Sequence, residues 1–161
     1  MEQQEVFVQM ALKAWNTQVN QANKFFDSLP DDSLLKEIAP GKNRIIYLLG
    51  HLIAVNDTMM SLFGLGERLY AHLDEAFVHN PDRSGSEMPE TSTLKADWKR
   101  SNEVLANHFN TMPAADWFKK HTAMTDEDLA REPTRNKLSV LLNRTNHLSY
   151  HLGQLVLVKD N

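Results

Sequence analysis

The sequence predicts an all-α protein, a four-helix bundle with short helices in its long connections. Three observations predict it. Four segments repeat apolar residues at spacings of three and four over several turns, which puts one buried stripe on each helix. No segment shows the period-two alternation of a half-buried strand. The connections after the second and third segments are too long for a plain up-down-up-down bundle, so short helices are expected across one end. The 161 residues suffice for one domain spanning 1–161 and are too few for two.

The first segment runs from Val6 to Leu29, with Val8, Leu12, Trp15, Val19, Ala22, Phe26 and Leu29 on its apolar side. Leu29-Pro30-Asp31-Asp32-Ser33 ends it, and Leu34–Ile38 can add a short turn. Pro40-Gly41-Lys42-Asn43 breaks the chain, with Asn43 placed to cap the second helix. The second segment, Arg44 to Phe63, is apolar nearly all round and stops at Gly64. A helix without a polar face is a buried one. Gly50 in its middle lets a neighbouring backbone come close.

Gly66 to Asn80 reads as a further short helix on Leu69, Leu73, Ala76 and Phe77. Pro81 to Thr91 is the most loop-like stretch. The third long helix starts near Ser92 or Thr93, either of which can cap it, and ends before Pro113. Leu94, Trp98, Leu105 and Met112 mark its apolar side. Thr125-Asp126-Glu127-Asp128 resembles a capping box for one or two turns in the next connection. The fourth long helix covers Asn136 to Lys159. Trp15, Trp98, Phe26, Met59, Met60 and Met124 are assigned to the core or to filling its gaps.

Composition removes several classes of function. Apolar residues make up 42% and charged residues 24%, so disorder is not expected. The net charge of −4 and the lack of any Lys/Arg run argue against nucleic acid and anionic membrane as partners. With no cysteine there is no disulfide, thiolate zinc site or cysteine nucleophile. The N-terminus carries no basic-then-apolar leader, and the longest apolar run falls short of the roughly 20 residues of a membrane span. These features fit a cytoplasmic location.

The chemistry concentrates in Asn143 to Gln154. His147 and His151 stand at i and i+4, which stacks them on one helical face with Cβ atoms about 5–6 Å apart. Two imidazoles at that spacing can share a metal ion, which needs at least one more protein ligand. His51, inside the apolar second helix, is the candidate. On a helical wheel Asn143, Arg144, Tyr150, Gln154 and Val140 fall beside the histidine pair, while Tyr47, Thr58, Val55, Leu48, Leu62 and Arg44 surround His51. If the two faces meet, three neutral nitrogen donors line a cleft and leave an open coordination position, the mark of a catalytic site. Such an ion would lower the pKa of a bound water or thiol. Gln154, Asn143 or Tyr150 could orient the ligands through their second ring nitrogens. Arg144 and Arg44 are candidates for an anionic group of a substrate.

Blander readings compete. Among seven histidines, about 0.3 pairs at i, i+4 arise by chance. A polar helix face with two histidines can be a solvated face, and a lone histidine on a buried helix can be a hydrogen-bonded core residue. His72, His79, His108 and His121 are assigned to the surface, without metal-spaced partners. There is no glycine-rich phosphate loop, no Gly-x-Ser-x-Gly elbow and no Glu-x-x-His pair of a di-iron bundle.

Taken together, Gly41-Lys42-Asn43-Arg44, Leu49-Gly50-His51-Leu52 and His147-Leu148-Ser149-Tyr150-His151-Leu152-Gly153-Gln154-Leu155 resemble the DinB-like (YfiT-like) metalloenzyme family. The likeness spans essentially the whole chain. The family pattern of one histidine in helix two, then His-x-x-x-His followed by Gly-Gln in helix four, is matched by His51, His147, His151, Gly153 and Gln154. The resemblance implies a four-helix bundle with an open site for one divalent metal ion held by these three histidines. Nickel, zinc, iron and manganese are the metals it implies. It also implies, for some relatives, activation of a low-molecular-weight thiol for transfer or isomerisation, and for the founding member an association with DNA damage.

Three functions remain open on the sequence. The first is a metal-dependent transferase or hydrolase that activates a thiol or water against a small-molecule substrate. The second is a non-enzymatic module binding metal or a small ligand. The third is a bundle whose histidines only line an interface, such as that of a homodimer.

Overall fold

The computed structural model describes residues 2–160. Its long helices are α1 (Gln3–Asp27), α2 (Ile45–Leu62), α3 (Thr91–Thr111) and α5 (Lys137–Leu155), with the short α4 (Asp126–Arg131) between the last two. The described residues form no β-strand, only an isolated bridge between Glu37 and Arg44. The fold is a four-helix bundle. Around it α1 packs on α5, α5 on α2, α2 on α3 and α3 back on α1.

Short helices fill the connections, as the loop lengths require: 3₁₀ turns at Asp31–Leu35, Ala71–Leu73 and Ala114–Phe118, and a π turn at Glu75–His79. The turn at Ala114–Phe118 drives Trp117 between Phe63 and Phe109, with ring centroids 5.8 and 5.2 Å away. The core holds Trp15, Trp98, Phe26, Met59, Met60 and Met124 as expected.

Helix ends show where local patterns succeed and fail. Gly64, at φ 70°, closes α2 with a Schellman motif in which Leu65 N–H donates to Met60 O and Gly64 N–H to Ser61 O. Thr125 and Asp128 form the expected capping box of α4. Asn136 caps α5, its side chain accepting from Ser139 N–H at 3.0 Å. Asn43, however, does not cap α2. Its carbonyl accepts from Ile38 N–H, and the N-cap position belongs to Arg44, which enters in extended conformation from the bridge to Glu37. Likewise Glu90, not Ser92 or Thr93, occupies the N-cap of α3. The α-helical part of α5 stops at Leu155, and the chain tightens to 3₁₀ over Val156–Asp160.

The stretch Gly66 to Asn80 is not the regular short helix expected. Asp57, on α2, draws the Leu69 and Tyr70 N–H groups to its carboxylate. Further on, the Asn80 side-chain amide donates to Glu75 O at 2.9 Å and spans the widened π turn.

Helix α2 is the innermost element. Its 18 residues have a mean hydropathy of 1.4, enough by length and composition to cross a membrane, yet 67% of them are buried inside the bundle. The uninterrupted apolar run understates this length, because His51, Asn56, Asp57 and Thr58 belong to the same helix.

Candidate metal centre

Two half-exposed stripes break the burial of the bundle where α2 meets α5. On α2 the stripe is His51, Val55 and Thr58, each flanked by buried residues. On α5 it is Val140, Arg144, His147, His151 and Gln154. The stripes follow the three- and four-residue spacing of one helical face. Arg144 reaches Thr58 while His147 reaches His51, so numbers rise on one helix as they fall on the other and the helices run antiparallel.

The three imidazoles meet at their Nε2 atoms. His147 Nε2 lies 3.1 Å from His51 Nε2 and 3.1 Å from His151 Nε2. Nitrogens bound at about 2.0–2.1 Å to one ion stand about 2.9 Å apart at right-angle coordination and about 3.4 Å apart at tetrahedral coordination. The observed spacing falls between these limits. One histidine from α2 and two from α5 could therefore hold a metal ion.

The opposite ring nitrogens fix the tautomers of His51 and His151, while His147 Nδ1 is buried without a partner. His51 Nδ1–H donates to Phe77 O at 2.8 Å, and His151 Nδ1–H donates to Gln154 Oε1 at 2.8 Å. A carbonyl only accepts, so both Nδ1 atoms carry the proton and both Nε2 atoms present a lone pair. His147 can supply at most one Nε2–H to two facing lone pairs. A shared cation satisfies all three nitrogens, and hydrogen bonding among them does not. The donor set therefore fits a metal.

Phe77 sits near the end of the π turn, which stops at His79 as Asn80 turns extended, so its carbonyl is available to the imidazole. Gly50 makes the approach possible: a Cβ there would overlap the Phe77 ring. The close neighbour of Gly50 is this ring rather than the backbone expected. Tyr47 stacks on His51 with centroids 6.3 Å apart and planes at 10°, and its hydroxyl donates to Asn80 O.

Burial keeps the site neutral. It is the main cause that lowers the pKa of His51, His147 and His151. His147, facing both other rings and Arg144 as well, falls to about 4. All three are lone-pair donors at neutral pH, the form a metal requires.

The structure brings most of the expected cleft residues together. Gln154 orients His151, Arg144 Nη2–H donates to Thr58 Oγ1 at 3.1 Å, and Tyr47 backs His51. Tyr150 sets its ring against the His151 edge but is 64% exposed. Asn143 is exposed and lies outside the half-buried stripe. Arg44 is unavailable to a substrate: its guanidinium forks onto Asp82, whose side chain is 3% exposed, and its N–H bonds the same carboxylate. His72 and His79 are exposed as expected, whereas His108 and His121 are half-buried. His121 Nδ1 is enclosed by the loop packing, and burial lowers its pKa.

Comparison with known proteins adds one family. Residues 14–155 match the family described as the DinB superfamily. That span contains all three histidines, Phe77, Arg144 and Gln154. Among curated proteins no relative matches the chain.

Proposed function

The chain belongs to the DinB superfamily, and on that premise we propose that it is a divalent-metal enzyme, a transferase or hydrolase, with His51, His147 and His151 as its metal ligands. The single observation that carries this reading is the convergence of three Nε2 atoms, with His147 Nε2 at 3.1 Å from each of the others. A bound ion would supply Lewis acidity, holding a low-molecular-weight thiol or a water as the deprotonated nucleophile near neutral pH.

The chain's own residues prepare the site. Phe77 O and Gln154 hold two rings in the tautomer whose lone pairs face inward. Burial keeps protons off all three rings at the pH where the nucleophile must form. Val55 and Val140 are apolar members of the two stripes and give an electrophilic small molecule a partly dry wall. Among the described residues no carboxylate joins the three histidines in the cluster, so a bound divalent cation would keep its full charge, which favours a strong Lewis acid.

Metal analysis of protein purified without a histidine tag tests this directly. About one ion per chain is expected, lost in His51→Ala and in His151→Ala, with both variants still folded by circular dichroism. Wild-type protein without metal after exposure to nickel, zinc, iron and manganese would end the proposal. Turnover of a thiol with an electrophile, lost in the same variants, separates an enzyme from a metal-binding module. Metal binding with no turnover across a panel of thiols and of hydrolysable esters and amides would favour the module.

A further inference from the structure

Arg144 carries a fixed charge on the half-buried stripe of α5, and the three-histidine reading gives that charge no task. It stands three residues before His147, about 4.5 Å along the helix axis. Its guanidinium is close enough to His51 and His147 to act on their protonation. A guanidinium offers five N–H donors and accepts nothing. Here Nη2–H donates to the Thr58 hydroxyl, and that hydroxyl donates onward to Val55 O at 2.6 Å. Nε is enclosed and has no partner. Among the described residues no carboxylate pairs with Arg144, whereas Arg44, Arg68 and Arg83 each hold one.

A desolvated, unpaired guanidinium is costly to keep, and arginine's planar fork is matched to carboxylate and phosphate groups. The three neighbouring imidazoles are neutral donors. With a divalent ion among them and no acidic ligand, the cleft carries positive charge from both the ion and Arg144. A thiolate or hydroxide at the ion offsets part of that charge and leaves Arg144 without a counter-ion.

We propose that Arg144, held by Thr58, is the binding site for an anionic group of the substrate, so that the small molecule reaching the three-histidine centre is a carboxylate or a similar anion. This rests on the three-histidine reading for where the reacting end of the molecule lies. The Arg144 contact itself can be measured separately. The thiol or water nucleophile occupies the histidine end of the cleft, and the anionic group lies about one helical turn away toward the N-terminus of α5.

The test compares two thiols that differ at the far end, 3-mercaptopropionate and neutral 2-mercaptoethanol, titrated into zinc-loaded protein by calorimetry. Both can place sulfur at the ion, so the difference between them reports the carboxylate. Wild type is expected to favour 3-mercaptopropionate by about tenfold or more, the scale of one charge-assisted hydrogen-bonded contact. In Arg144→Gln that preference disappears while metal content stays at the wild-type level. Arg144→Lys keeps the charge but not the fork and retains part of the preference. Equal binding of the two thiols to wild type, or a preference that survives Arg144→Gln, overturns the proposal.

A second readout does not depend on metal. Propionate added to metal-free protein is expected to shift the Arg144 Nε–H resonance, identified by its absence in Arg144→Gln. If no metal binds at all, the three-histidine reading falls, and this resonance decides the Arg144 proposal alone. A propionate-induced shift supports it, and an unmoved resonance overturns it.

Discussion

Arg68 and Arg144 are both half-buried, and the molecule treats them in opposite ways. Arg68 Nη1–H and Nη2–H donate to the two oxygens of Asp74, Nε–H to Asp57, and Nη2–H also to Ala54 O. Its pKa is raised, chiefly by the hydrogen bond to Asp74. Arg144 has a single hydroxyl for a partner, and burial lowers its pKa with nothing opposing it. The first arrangement is closed. It ties α2 to the turn after Gly66, and a ligand could add little to it. The second is incomplete, and it lies beside the three histidines. The arginine that the fold completes ties elements together, and the one it leaves incomplete stands beside the candidate metal centre.

The sharpest way to break this contrast is to open the closed network. Asp57 is 1% exposed and accepts from Arg68, Leu69 N–H and Tyr70 N–H. Asp57→Ala strands two backbone donors in the interior and takes one of the two carboxylates that Arg68 holds, at a cost of about 3–5 kcal/mol. Denaturant unfolding should show that loss, and metal affinity per folded molecule should stay near wild type. A loss below about 1 kcal/mol would mean that water completes the network as well as the carboxylate does.

The next effect tests the link from packing to the open site. Gly50→Ala would push a methyl group into the Phe77 ring, and the Phe77 carbonyl is what holds His51. Overpacking of this kind costs about 1–3 kcal/mol. Loss of an orienting partner weakens metal binding by about 10–100-fold. A stability loss with unchanged zinc affinity would show that the ring can move without its carbonyl.

Acid should separate the regions without any mutation. Burial holds His147 near 4, below the ordinary 6.5, and lowers His51 and His151 in the same direction. Above about pH 6.5 these rings are neutral in the folded and the unfolded chain, and they add no pH dependence. Below it the unfolded chain takes up protons that the folded one refuses. The metal-free protein therefore loses stability as pH falls from about 6.5 toward 4, and the loss levels off below the folded value. Unfolding midpoints measured across that range should show the slope, and His147→Ala should reduce it.

Much of this was legible in the sequence because it was local. His147, His151 and Gln154 share a face at fixed helical offsets, and the apolar run around His51 marks a helix that must be buried. Gly64 and the Thr125 capping box are equally local signals. The failures came from partners far apart in the chain. Arg44 is taken up by Asp82, 38 positions away, which removed it as a substrate ligand. Asp57 captures N–H groups 12 and 13 positions on and prevents the regular helix expected after Gly66. The orienting group of His51 is a backbone carbonyl, which no residue type announces.

The smallest expected effect is also the one that most separates the two arginines. Met fills a space similar to the stem of Arg144 and brings no charge to be desolvated. Arg144→Met removes a guanidinium whose enclosed Nε has no partner and whose hydrogen bonding within the chain rests on the Thr58 hydroxyl. Replacing an unpaired buried charge by an apolar side chain is neutral or favourable, so the metal-free variant should match wild type or gain up to about 1 kcal/mol. The same change at Arg68 would strand Asp57 and Asp74 and should be costly. If Arg144→Met instead loses more than about 2 kcal/mol in denaturant unfolding, Arg144 holds the helices together as Arg68 does. An undiminished or raised stability, joined to a lost preference for the anionic thiol, identifies Arg144 as a charge retained for a ligand at the expense of the fold.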